Sequence, residues 1–303
     1  MLLFKHANAK LTPVSESRFD LEKDLQKLAE GNLEAIFSLE FVKTEFSLNN
    51  LRIDTLAFDR ETQSFTIIEY KRDRNFSVID QGYAYLPLLL NNKAEFLLAY
   101  NETLGKNLKK DAVDWSQSRV IFLARSFTTY QLQAITFRDL PIELWEARQF
   151  TDGILVFNQL KSLDTSASIK EVSKSAVAQE VSREIRAYTV DDHLAGKSQA
   201  IKDAVSALRE GVLALGSEIV ERPTKTYLGY QLGNRVFVLF KVYHTRVEVR
   251  LNLLPKREAT DSQGILEEMP GGYDKNASRF YLSNSDQASY ALSLIRQAYE
   301  RMT

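Results

Sequence analysis

Asp54, Glu69 and Lys71 are the residues whose types and spacing add up to chemistry in this sequence. Glu69 and Lys71 stand two apart at the end of the apolar run FTIIEYKR, residues 65–72. On a strand both would project to one face. Asp54 lies in the preceding run, LRIDTLAF, residues 51–58, and the polar stretch DRETQS between the two runs reads as a hairpin loop. That loop would make the runs antiparallel neighbours and bring Asp54 close to Glu69. Charges in a buried strand are costly unless they pair, bind a metal or meet a substrate. Two adjacent carboxylates repel, and a hard cation such as Mg²⁺, held by oxygen, removes the repulsion. A phosphate oxygen and water would complete its shell. Lys71 beside it would orient or deprotonate the water and stabilise charge on the phosphorane. The set suits metal-assisted phosphodiester hydrolysis.

As a bare tripeptide, Glu69-Tyr70-Lys71 would be no more than an ion pair at a strand end, with Tyr70 facing away into packing. Its weight comes from the elements around it. Phe19, Leu25, Leu28, Leu33 and Phe37 fall near helical spacing, with a break at Gly31-Asn32. Strands are expected at 41–48, 51–58 and 65–72, with Asn49-Asn50 as a turn. A helix from about Ser77 would be interrupted by Pro87 and by Asn91-Asn92, then resume through KAEFLLAYNETLG. A strand at 120–125, a short helix TYQLQAITF and strands at 142–150 and 154–160 close this part. The order αβββαβαββ defines an α/β or α+β domain over residues 1–160.

With the elements in place, Asp54…Glu69-Tyr70-Lys71 resembles the PD-(D/E)XK nuclease superfamily, Ile53-Asp54 standing where that family often has Pro-Asp. Gln81-Gly-Tyr-Ala-Tyr85 resembles the Q-x-x-x-Y element that RecB-like members carry on the following helix. The resemblance covers roughly residues 16–150 and implies a restriction-endonuclease-like core, a mixed central sheet flanked by helices. It implies a Mg²⁺-dependent nuclease acting on nucleic acid, DNA by expectation, with Mn²⁺ able to substitute. Asp54 and Glu69 would ligate the metal, the Tyr70 backbone carbonyl would assist, Lys71 would act on the water, and Gln81 with Tyr85 would contact substrate or support Lys71. Glu22 sits where many members place an additional acid, a role for which Glu16, Asp20 and Asp24 compete. A binding module that keeps the fold without catalysis is the competing class, and retention of both acid and lysine favours the enzyme. An RNA-cleaving enzyme would share the metal site and would reveal itself by requiring a 2′-hydroxyl. Restriction, phage defence and repair are the settings such architectures suggest.

The bulk numbers narrow the alternatives. A chain of 303 residues with 44% hydrophobic and 26% charged residues suits two soluble domains. No apolar run approaches the roughly 20 residues of a membrane span, and the N-terminus is too short in apolar residues for a secretory signal. A cytoplasmic address is expected. Cysteine is absent and histidines number three, which excludes disulfides, thiolate zinc and a multi-histidine centre. Net charge is −1, so a polyanion must be met by local patches such as Lys71, Arg72 and Arg74 or Lys106, Lys109 and Lys110. A homodimer or a recruiting protein partner fits so neutral a chain. Trp115, just before a strand, would cap the core or stack on a base.

Residues 161–189, rich in Ser, Ala and charge, read as a partly helical linker. Residues 190–303 read as a smaller α+β domain: a helix at 198–216, strands within KTYLGYQLG, RVFVLFKVYH, RVEVRLNLL and RFYLSN, and a closing helix. The stretch GGYDKNASRFYLSNSDQASYALSLIRQAYE resembles a domain of uncharacterised function sometimes labelled a predicted transport protein. Arg246 and Arg250 alternate with Val247 and Val249, so both would share one strand face, open to nucleic acid, a partner or solvent.

Overall fold

The computed structural model describes residues 2–17, 19, 22–71, 78–134, 141–160, 188–270 and 275–302. The chain is mixed α+β, and two units divide it between residues 186 and 187. In the first, an exposed hairpin of β1 (Phe4–Ala7) and β2 (Lys10–Pro13) leads to β3 (Glu16–Ser17). Helices α1 (Glu22–Glu30) and α2 (Leu33–Phe37) follow, parted at Gly31-Asn32 as the sequence expects. Strands β4 (Glu40–Leu48), β5 (Leu51–Asp59) and β6 (Ser64–Lys71) come next. Both turn residues of the first hairpin, Asn49 and Asn50, have positive φ (49° and 63°), the backbone that a tight hairpin demands and asparagine tolerates.

Helices α3 (Val78–Asn91) and α4 (Lys93–Leu104) lead to β7 (Arg119–Ala124), α5 (Thr129–Ala134), β8 (Ile142–Phe150) and β9 (Leu155–Leu160). The sheet runs β3-β8-β7-β6-β5-β4, with β9 also on β8; β6, β7 and β8 are parallel, the rest antiparallel. One face is covered by α1 and α2 through Leu25, Ala29, Leu33 and Phe37 against Ile68 and Tyr70. The other is covered by α3 and α4 through Leu86, Leu89 and Phe96 against Leu56, Phe65 and Ile67. Trp115 stacks on Phe65 at 5.4 Å, so it belongs to this core.

Pro87 does not interrupt α3, contrary to the expectation from sequence. The missing amide and the ring cost helix stability, but Leu86, Leu88, Leu89 and Leu90 are all buried around it and hold the helix to the sheet. The helix ends only at Asn91-Asn92. Gly82 lets α3 approach closely, since a Cβ there would lie 2.5 Å from the Ile142 Cδ1 atom and 3.3 Å from the Phe122 ring. The remainder of the expected helix after Ala134, Asp20, Arg72, Arg74 and the linker through residue 187 lie outside the described residues.

The second unit holds α6 (Val190–Leu194), α7 (Gln199–Leu213), β10 (Ile219–Pro223), β11 (Leu228–Leu232), β12 (Arg235–Val242), β13 (Val247–Leu251), β14 (Glu267–Glu268), β15 (Ser278–Leu282) and α8 (Ala288–Glu300). Its antiparallel sheet runs β10-β11-β12-β13-β15-β14. Helices α7 and α8 cover one face through Val205, Leu208, Leu294 and Ile295 against Phe240, Val249 and Phe280. The sequence pattern did not reveal β10, whose segment IVERP ends in proline; an edge strand tolerates that missing donor.

Candidate active site

Strands β5 and β6 pair in register from Asp59 opposite Ser64 to Thr55 opposite Ile68. One step further, the ladder gives way to side chains. The Asp54 amide donates to Glu69 Oε1 at 3.1 Å, and the Tyr70 amide donates to Asp54 Oδ2 at 3.1 Å. Each carboxylate thus takes the main-chain donor of the opposite strand, which fixes the two side chains beside each other where the strands part. By strand alternation Asp54, Glu69 and Lys71 share the face covered by α3, and Tyr70 the face covered by α1. Lys71 Nζ donates to Glu69 Oε2 at 3.4 Å. Tyr85, on α3, donates its hydroxyl to the Arg52 carbonyl at 3.0 Å and also interacts with Glu69.

Glu69 is only 2% exposed. Burial, and then the neighbouring Asp54 charge, push its carboxyl up to about 7, against the opposing pull of the Asp54 amide, Lys71 and Tyr85. Burial and the same carboxylate push the Tyr85 hydroxyl far above the usual phenol range, so it is a donor at any ordinary pH. The pair is therefore charge-frustrated at neutral pH. An oxygen-seeking divalent cation fits that donor set better than a proton does.

Gln81 lies one turn before Tyr85 on α3; its Oε1 atom is buried and accepts no hydrogen bond among the described residues. An acceptor left so costs about 1–3 kcal/mol, an expense typical of a site that awaits a partner. Among the described residues, Gln81 makes no hydrogen bond to Asp54, Glu69 or Lys71. Glu22 is exposed in the first turn of α1, and no group of three or more Asp, Glu or His among the described residues is placed to hold a metal. Lys106 is engaged elsewhere, donating to Glu40 at 2.6 Å.

Behind the pair lies a polar cluster that sequence reasoning missed. Gln26 donates to the Asp54 carbonyl at 3.0 Å, to Glu30 Oε1 at 3.0 Å and to Thr44 at 3.2 Å. Thr55 donates to Glu30 at 2.6 Å and shares a hydrogen bond of 3.2 Å with the Tyr70 hydroxyl. These bonds pin the main chain of Asp54 from the α1 side. The signal in the sequence was the polar line Glu22, Gln26, Glu30, spaced by four along one flank of a helix whose other flank is apolar.

Residues 190–301 match the family described as DUF5655, a domain of unknown function. An uncharacterized protein of Haemophilus influenzae (strain Rd) is 36% identical over 301 residues, 98% of this chain and 99% of its own length. The chain belongs to the family of that protein, from end to end. Among solved structures, a repair endonuclease from Pyrococcus abyssi is similar over 44% of this chain and 50% of its own, at 16% identity and a TM-score of 0.26. EndoMS in apo form is similar over 48% and 64%, at 12% identity and a TM-score of 0.28. An EndoMS–dsDNA complex is similar over 43% and 47%, at 18% identity and a TM-score of 0.26. The chain spans about half the length of two of these structures and 64% of the third, and at such scores the chemistry rests on its own side chains.

Proposed function

We propose that the first unit is a divalent-metal-dependent nuclease, hydrolysing phosphodiester bonds in nucleic acid, DNA foremost. The reciprocal exchange between Asp54 and Glu69, which holds a half-exposed carboxylate against a buried one beside a lysine, carries the reading. Asp54 and Glu69 would hold Mg²⁺ or Mn²⁺ with help from the Tyr70 carbonyl. When bound, the cation supplies charge neutralisation of the scissile phosphate and a more acidic water. Lys71, hydrogen-bonded to Glu69, would orient that water and stabilise charge building on the phosphorus oxygens. Tyr85 fixes the Glu69 carboxylate from the helix side, and Gln81 offers its unmatched amide oxygen to a donor on substrate or water. Glu22, exposed on α1, is left outside this centre.

The test is cleavage of single-stranded, duplex and branched DNA, and of RNA, in Mg²⁺ or Mn²⁺. Wild type should cut, and Asp54→Asn, Glu69→Gln and Lys71→Ala should each lose at least about 100–1000-fold in rate. Chelator should abolish cleavage. Activity that survives in all three variants would remove the assignment of the site.

A further inference from the structure

The sheet of the second unit has a face that neither α7 nor α8 covers. Register places Arg222, Gly229, Leu239, Arg250, Arg279 and Glu267 in one row across all six strands. The next row on that face holds Lys241, Glu248 and Tyr281. Arg246, just before β13, lies over the Tyr281 ring at 4.3 Å and the Tyr243 ring at 5.7 Å, and Arg279 lies over Tyr281 at 5.4 Å. Five cations thus face two carboxylates here, in a chain whose net charge is −1.

Arg250 and Arg279 stand directly opposite each other on paired strands, and Arg279 donates to Glu267 on the next strand at 3.2 Å. Arg246 is exposed and Tyr243 is 43% exposed, so a stacked cation–aromatic pair is held out toward solvent at the end of the face. The apolar residues of the face, Tyr227, Val236 and Leu239, are already buried. A partner that docks through apolar surface therefore finds little here. A polyanion with flat rings finds both phosphate-binding charge and stacking planes.

The geometry points to this face as a binding site for single-stranded nucleic acid, with Arg222, Lys241 and Arg279 on the phosphates and the Arg246–Tyr281–Tyr243 stack against the bases. Charge of one sign gives affinity and salt dependence; the stack gives preference for unpaired bases, which duplexes conceal. The site uses none of the residues of the Asp54–Glu69 centre, and its test needs neither metal nor cleavage.

Full-length protein in EDTA is titrated against fluorescent oligonucleotides of roughly 20 nucleotides, single-stranded or duplex, and anisotropy is read across a salt series. The wild type should bind the single strand more tightly than the duplex. The double variant Arg246→Ala/Arg279→Ala should weaken binding at least about tenfold and flatten the log–log salt slope by about 0.7 for each phosphate that is no longer neutralised. The charge-preserving pair Arg246→Lys/Arg279→Lys should keep the slope while losing preference for the single strand. Unchanged thermal unfolding in each variant separates these effects from misfolding. Absence of binding by wild type, equal affinity for duplex, or a double alanine variant with unaltered affinity and slope would each overturn the assignment.

Discussion

The first unit contains two clusters of two acids and one base on the same sheet, each with one buried acid, and they are built in opposite ways. At one, Arg119 lies between its acids: its guanidinium meets Asp59 at 3.1 Å and Glu143 at 2.9 Å. Asp59 Oδ1 also accepts the Glu61 and Thr62 amides at 2.9 and 3.0 Å, and Glu143 accepts the Trp145 indole N–H at 2.9 Å. At the other, the acids face each other and the base stands to one side: among the described residues Lys71 pairs with Glu69, at 3.4 Å. The charge count is the same. What separates a structural tie from a candidate reaction centre is where the cation sits, between the carboxylates or beside them. The first arrangement is complete; the second leaves room for one more positive charge.

Arg119→Met tests the complete cluster and should have the largest effect on stability. It strands two carboxylates, 5% exposed at Asp59, and should cost about 3–5 kcal/mol in chemical denaturation. Glu69→Gln should move the other way. In metal-free protein it removes a repulsion, so unfolding at neutral pH should occur at equal or higher denaturant than in wild type. If both variants destabilise alike, the contrast between the clusters fails.

The titration of Glu69 sharpens the contrast. Its carboxyl lies near 7 in the folded protein, raised by burial and then by Asp54, against 4.5 ordinarily. Between those values the unfolded chain has released the proton and the folded chain still holds it. The unfolded state binds fewer protons there, so metal-free stability should fall as pH rises from 4.5 to about 7 and level off above. Melting temperature against pH in EDTA should show this slope in wild type and lose it in Glu69→Gln.

A third cluster gives the opposite sign and a smaller effect. Burial alone would raise the Glu40 carboxyl, but hydrogen bonds from Arg60 and Lys106 hold it at about 2. Its contribution is present above 4.5 and is lost as pH falls through 2. Both cationic partners are largely exposed, which limits the gain to about 1 kcal/mol. Glu40→Gln should lower stability by about that 1 kcal/mol from pH 4.5 upward, flatten the acid limb, and change little near pH 2.

Much of this was legible in the sequence because it follows from period-two alternation. The strands around Asp54 and Glu69, their hairpin and the shared face of Glu69 and Lys71 needed only the apolar pattern and the turn residues. The second unit's main strands were legible for the same reason, and its two long helices from apolar residues at helical spacing. What escaped was set by neighbours distant in sequence. Pro87 reads as a break, yet the leucines buried around it carry the helix through. Gln26 and Thr55 look like ordinary polar residues until the fold brings them to Asp54 and Tyr70. The hairpin of β1 and β2 is exposed throughout and has no apolar alternation to announce it. Arg119 gave no sign of standing between acids drawn from two other strands. Glu22 shows the converse: a position carried over by resemblance, which among the described residues forms no group with Asp54 and Glu69 placed to hold a metal.

The most direct measurement is Mn²⁺ binding, by calorimetry and electron paramagnetic resonance, to wild type, Asp54→Asn and Glu69→Gln at a pH above 7. If the wedge between β5 and β6 holds a metal, wild type should take up the ion, release a proton as the buffer approaches neutrality, and lose binding in both variants. Equal Mn²⁺ uptake by all three proteins would contradict a metal centre at this pair.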